Sequence, residues 1–112
     1  MVKFNFYTTP DFNKAFKKLA KKYPSLTDDI LMFQNAFKEN PKAGVDLGSG
    51  FRKVRTTIKS KGKGKSGAAR IITYDLVVNL LNHDILLVYM YDKSDFESVD
   101  INYLKNMVKN IK

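Results

Sequence analysis

The chain has no cysteine and a single histidine, His83. The first absence excludes disulfides and thiolate metal sites and fits a reducing compartment. The second excludes a two-histidine ribonuclease mechanism and any histidine-based metal cluster. His83 falls in Asn82-His83-Asp84, which reads as a turn between two strands, so it is expected to be a surface turn residue. Acids are scarce as well: eleven Asp and Glu stand against twenty Lys and Arg, for a net charge of +9 over 112 residues. The one adjacent pair, Asp28-Asp29, opens a helix, where the helix dipole accounts for it. No paired carboxylates therefore point to a metal nuclease or a glycosidase. No apolar run reaches the ~18–20 residues of a membrane span. The start, MVKFNFYTTPDF, lacks the apolar segment and cleavage site of a signal peptide. One cytoplasmic domain is expected, with no membrane partner. If it catalyses anything, it does so with Lys, Arg and Tyr.

What the chain does have is positive charge, and the charge is concentrated. Gly50 to Tyr74, GFRKVRTTIKSKGKGKSGAARIITY, holds eight of the twenty Lys and Arg and no acid. Its flanks alternate as strands do, with Val54, Thr56 and Ile58 on one side and Lys53, Arg55, Thr57 and Lys59 on the other. Between the strands lies a turn built almost wholly of Lys, Gly and Ser. A basic balance of this kind attracts polyanions such as RNA, DNA, an acidic protein or an anionic membrane surface.

The rest of the chain reads as scaffold. Val2 to Tyr7 is a short first strand. Thr9-Pro10 gives a helix cap and a proline at the first helical position. Phe12, Ala15, Phe16, Leu19, Ala20 and Tyr23 then form one apolar stripe, and Pro24 ends the helix. A second helix, capped by Ser25 or Thr27, buries Leu26, Ile30, Phe33 and Phe37 and closes at Asn40-Pro41. The short link between them makes an antiparallel hairpin. Lys42 to Gly50 reads as a loop with three glycines. Ala69 to about Leu80 and Ile85 to Tyr91 are strands, and from Ser98 a helix carries Ile101, Leu104, Val108 and Ile111. The order β-α-α-β-β-β-α is an α+β domain, with helices layered on a mainly antiparallel sheet.

Each basic cluster has a plain reading beside a functional one. KSKGKGKSG (Lys59 to Gly67) ends in the GKS of a nucleotide-binding phosphate loop. Lys59, however, stands where the first glycine is required, and a strand follows where the mechanism needs a helix, so no nucleotide cofactor is expected. Lys59, Lys61, Lys63 and Lys65 are then either a solvated turn or a basic arm that neutralises RNA phosphates without sequence preference. Arg70, at the start of an apolar strand, can offer a bidentate fork to phosphate or make a salt bridge, with Asp92 as a candidate partner. Lys53 and Arg55 share a strand face that is either a site or simply solvated. Lys14, Lys17, Lys18, Lys21 and Lys22 lie opposite the first helix's apolar stripe, as on any amphipathic surface helix. This surface can add long-range attraction to RNA, but the sequence pattern by itself does not mark a site.

KSKGKGKSGAARIITY followed by LLVYMYDKSD resembles the RelE/ParE superfamily of bacterial toxins, closest to the HigB-like branch of type II toxin–antitoxin systems. FKKLAKKYPSL and FKENPKAGVDLGSGFRKVR extend the likeness over nearly the whole chain. The resemblance implies a RelE-like fold and an mRNA interferase, an endoribonuclease that cuts messenger RNA on the ribosome. It further implies silencing by a tightly bound antitoxin, a helix-turn-helix protein of HigA-like type. In this family the 2′-OH attacks the adjacent phosphorus with basic residues and no metal. Carried over residue by residue, the family's basic positions fall on Lys53, Arg55, Arg70 and Lys93. Its C-terminal tyrosine has no match, Val99 falling near its place, and Tyr91 stands as the substitute. The resemblance thus assigns Arg70 to the pentacovalent phosphorane, Lys53 or Lys93 to proton transfer, Arg55 to a flanking phosphate and Tyr91 to stacking on an extruded base. The competing class is a non-catalytic RNA-binding module or a ParE-like gyrase inhibitor on the same fold.

Overall fold

The computed structural model describes residues 2–61, 68–92 and 100–109. The chain runs β1 (Lys3–Thr8), α1 (Pro10–Lys22), α2 (Leu26–Glu39), β2 (Val45–Gly48), β3 (Phe51–Thr57), a 3-10 turn (Lys59–Lys61), β4 (Ala68–Asn79), β5 (Asn82–Asp92) and α3 (Ile101–Val108). The strands form one sheet in the order β1-β5-β4-β3-β2. β1 lies parallel to β5 and the other pairs are antiparallel. This is the expected α+β layout.

Thr9 sets the entry to the helical layer. Its Oγ1 accepts from the Phe12 N–H at 3.0 Å and donates to the Val88 carbonyl at 2.7 Å, so one buried hydroxyl both caps α1 and fastens it to β5. The apolar stripes of α1 and α2 then meet one face of the sheet. Phe12, Leu19, Leu26, Ile30, Phe33 and Phe37 pack with Val54, Ile71, Ile85, Leu87 and Met90. On the other face α3 lays Leu104, with Ile101, Met107 and Val108, over Phe51, Ile72, Leu86, Val88 and Tyr91. α3 starts at Asp100, whose carboxylate accepts from the Asn102 N–H at 2.8 Å.

A β-bulge decides what lies where on β5. Ile72 pairs with Tyr89 but Thr73 pairs with Leu87, which leaves Val88 as the extra residue. Strict alternation from Leu86 and Val88 would send Tyr89 and Tyr91 to the hairpin face and Met90 to the α3 face. With the extra residue the assignment reverses: Met90 joins the hairpin core, and Tyr89 and Tyr91 rejoin the α3 face.

Three sequence expectations are corrected. The segment 42–50 contains a strand, β2, rather than loop throughout, and it forms the sheet edge beside β3. The β4–β5 turn is centred on Leu80-Leu81, not on 82–84. Asn79 Oδ1 closes it by accepting from the N–H groups of Leu81 and Asn82, both at 3.0 Å. His83 consequently lies inside β5, opposite Val77, with Nδ1 3.1 Å from an Asp75 carboxylate oxygen. The expected helix start at Ser98 and its Ile111 lie outside the described residues.

Candidate functional site

The register of the three central strands builds the site. Arg55 on β3 pairs with Arg70 on β4, and Arg70 pairs with Tyr91 on β5, giving one row across the sheet on the α3 face. The next row is Lys53, Ile72 and Tyr89. Side chains of directly paired residues project to the same face, so three cations from two strands converge. Lys53, Arg55 and Arg70 line one open cleft of about 540 Å³, whose far wall is the chain at Ala43, Gly44 and Val45. No acid lines it among the described residues.

That wall was not singled out from the sequence. Val45 pairs with Lys53 across the β2–β3 ladder, which brings the wall against the site. Gly44 has φ +85°, and a Cβ there would collide with the carbonyl oxygen of Lys53. Arg52, on the opposite face of β3, fixes the approach to the wall. Its Nη1 donates to the carbonyls of Lys42 at 3.0 Å and Ala43 at 3.4 Å.

Arg70 is the half-buried member of the row. Its Nη1 is buried and has no hydrogen-bond partner among the described residues. The carboxylate of Asp92, the salt-bridge candidate, lies instead on the hairpin side. It accepts from Lys61 Nζ at 2.9 and 3.0 Å and from the Tyr23 hydroxyl at 2.9 Å. A buried guanidinium donor without an acceptor costs about 1–3 kcal/mol.

Tyr91 is 2% exposed, packed in the α3-side core. Burial pushes its phenol up from the ordinary value, and the Arg70 charge beside it only partly opposes this. So enclosed, Tyr91 offers no face to an extruded base. Its stacked neighbour Tyr89, with ring centroids 6.3 Å apart, is less enclosed, and Tyr103 of α3 meets Tyr89 edge-on at 6.5 Å while being 53% exposed. The less enclosed aromatic rings beside this row are those of Tyr89 and Tyr103. Tyr103 carried no signal in the sequence, being one polar-tipped residue on a short helix.

The four basic residues expected to bind RNA do not form one group. Lys59 leaves the strand pattern at the 3-10 turn, where its backbone N–H donates to the Asp29 carboxylate at 3.3 Å. It stays exposed, in a small groove shared with Arg55 and α2. Lys61 is held inward by Asp92 and lies over the Tyr23 ring at 5.3 Å. The Asp92 hydrogen bond raises its pKa above the ordinary lysine value, against the opposing effect of burial. Ser25 and Ser60 exchange N–H···Oγ bonds of 2.8 and 2.9 Å, tying the same turn to the start of α2. Lys61 is thus engaged in an internal ion pair. Lys63, Lys65 and Lys93 lie outside the described residues.

No protein-family model matches the chain. Among the described residues, no group of three or more His, Cys, Asp or Glu side chains is placed to hold a metal ion.

Proposed function

We propose that this protein is a ribosome-dependent mRNA endoribonuclease, the toxin of a toxin–antitoxin pair, acting through the cationic cleft of Lys53, Arg55 and Arg70. The observation that carries the reading is the convergence of Lys53, Arg55 and Arg70 on one open cleft that no acid lines among the described residues. Donors fixed before the reaction stabilise charge as it develops on phosphorus, and this is commonly the largest catalytic contribution. The 2′-oxygen forms a bond to the adjacent phosphorus and the bond to the 5′-oxygen breaks, leaving a cyclic phosphate and a 5′-hydroxyl. Lys53 takes part in the proton transfers together with Lys93. Arg55, exposed at the cleft edge, holds a flanking phosphate. Tyr91 remains protonated at neutral pH, which suits a hydrogen-bond or proton donor beside Arg70 rather than a base. Tyr89 and Tyr103 offer the faces on which an unpaired base can stack.

The silencing partner in this reading is an acidic segment of a helix-turn-helix antitoxin. The working compartment is the cytoplasm, and no helix among the described residues is long and apolar enough to cross a membrane. Mapping RNA 5′ ends after brief expression tests the activity. New 5′-hydroxyl ends inside translated frames are expected. A toxic protein that produces no new ends would instead be a non-catalytic inhibitor on the same fold.

A further inference from the structure

A second cationic surface lies on the other side of the sheet. Lys14, Lys17, Lys18, Lys21 and Lys22 are all exposed on α1. At 100° per residue they fall within roughly 140° of arc and about 12 Å of helix length. α1 carries one acid, Asp11, in its first turn, and none of the ion pairs found among the described residues involves an α1 lysine. Lys14/Lys18, Lys17/Lys21 and Lys18/Lys22 are like charges at i, i+4, a spacing that destabilises a helix unless something neutralises it. The lysines contribute nothing to the core, which α1 reaches through Phe12, Leu19 and their partly buried neighbours. That core lies on the hairpin face, whereas the cleft opens on the α3 face. One strand lying in the cleft does not reach both.

We propose that the α1 lysine face is a second, independent RNA-binding surface that grips the phosphate backbone of a folded RNA duplex. Its composition selects a nucleic-acid backbone over an anionic membrane or an acidic protein, and the reading of the chain as RNA-acting selects RNA over DNA. Membrane insertion needs a free apolar helix face, and the apolar face of α1 is already buried. Protein interfaces rely on exposed aromatic, Arg or apolar anchors. None of the molecule's exposed large apolar side chains belongs to α1, and α1 has no arginine. Mobile lysine point charges without anchors suit a repeating phosphate chain read without sequence preference.

The inference rests on the reading of this chain as an RNA-acting protein, and its test is separate from cleavage. Binding of a fluorescein-labelled blunt RNA duplex is titrated over a series of salt concentrations. Wild type is compared with a variant carrying Lys14→Gln, Lys17→Gln, Lys18→Gln and Lys21→Gln. Lys22, which lies over the Tyr23 ring at 5.5 Å, is left in place. Glutamine keeps the helix propensity of lysine and removes the repulsion, so the melting temperature should equal or exceed that of wild type. The log–log salt slope should become shallower by up to roughly 3, at about 0.7–0.9 for each phosphate no longer neutralised. An unchanged slope overturns the proposal, as does a variant that melts well below wild type. It is equally overturned if duplex binding persists while binding of poly-L-glutamate is lost, which would assign the face to an acidic protein. Absence of new RNA ends with duplex binding intact would count against the nuclease and leave this surface standing.

Discussion

Lys61 and Asp92 show how a single interaction reassigns a residue. In sequence Lys61 belongs to a run of alternating lysines and glycines, and nothing local sets it apart from Lys63. The deciding partner is 31 residues away. Asp92 is 1% exposed and forms an ion pair with Lys61. Removing one partner from a buried pair is destabilising, so Lys61→Met should lower the midpoint of urea unfolding. A lysine that served only to touch RNA would leave the unfolding midpoint unchanged. The pH dependence has a definite sign. Lys61 and Tyr91 both have folded-state pKa values above their ordinary ones. Each therefore contributes stability that is present below about pH 10 and is lost as pH rises through its folded-state value. Alkaline unfolding should begin earlier in wild type than in Tyr91→Phe, which has no phenol to ionise. Coincident alkaline transitions would remove Tyr91 from the account.

At the scale of elements, the strongly periodic segments were legible. The stripes of α1 and α2 and the alternation of β3 follow from where apolar residues fall, and the shared face of Lys53 and Arg55 came with them. β2 was not legible: it is four residues long, lies at the sheet edge, and is framed by glycines whose positive φ reads as loop. The turn at Leu80-Leu81 was missed because its apolar tip, with Leu80 90% exposed, runs against turn composition while Asn79 does the hydrogen bonding. The bulge at Val88 leaves no local mark, yet it moves Tyr91 beside Arg70. The cleft wall offers a contrast between two glycines of nearly equal φ. Gly44 at +85° faces the Lys53 carbonyl, while a Cβ on Gly48 at +84° would meet nothing within 4 Å. Alanine at Gly48 should cost only the backbone strain of about 1–3 kcal/mol. Alanine at Gly44 carries the same strain and must also push β2 away from Lys53, so it should lose more stability and most cleavage activity. Equal losses in thermal melts and cleavage would mean that the close approach at Gly44 does not shape the cleft.

At the scale of the whole molecule, the sheet separates two cationic surfaces. The hairpin side holds one of the two core clusters, the buried ion pair and the lysine face of α1. The α3 side holds the cleft, where register rather than sequence proximity brings Lys53 and Arg55 of β3 beside Arg70 of β4. The positive charge was evident from composition, but its division between two faces depends on pairing that composition does not encode. The central claim is that Arg70 stabilises a phosphorane in that cleft. It is tested most directly by the single-turnover rate at which purified protein cuts mRNA on programmed ribosomes, wild type against Arg70→Ala. The side chain is half-buried, and its Nη1 has no hydrogen-bond partner among the described residues, so its removal should leave the fold and ribosome binding close to wild type. The cleavage rate should fall by about 10²–10³, as when one preorganised donor to a developing oxyanion is removed. A folded Arg70→Ala protein that cuts at the wild-type rate would contradict the account.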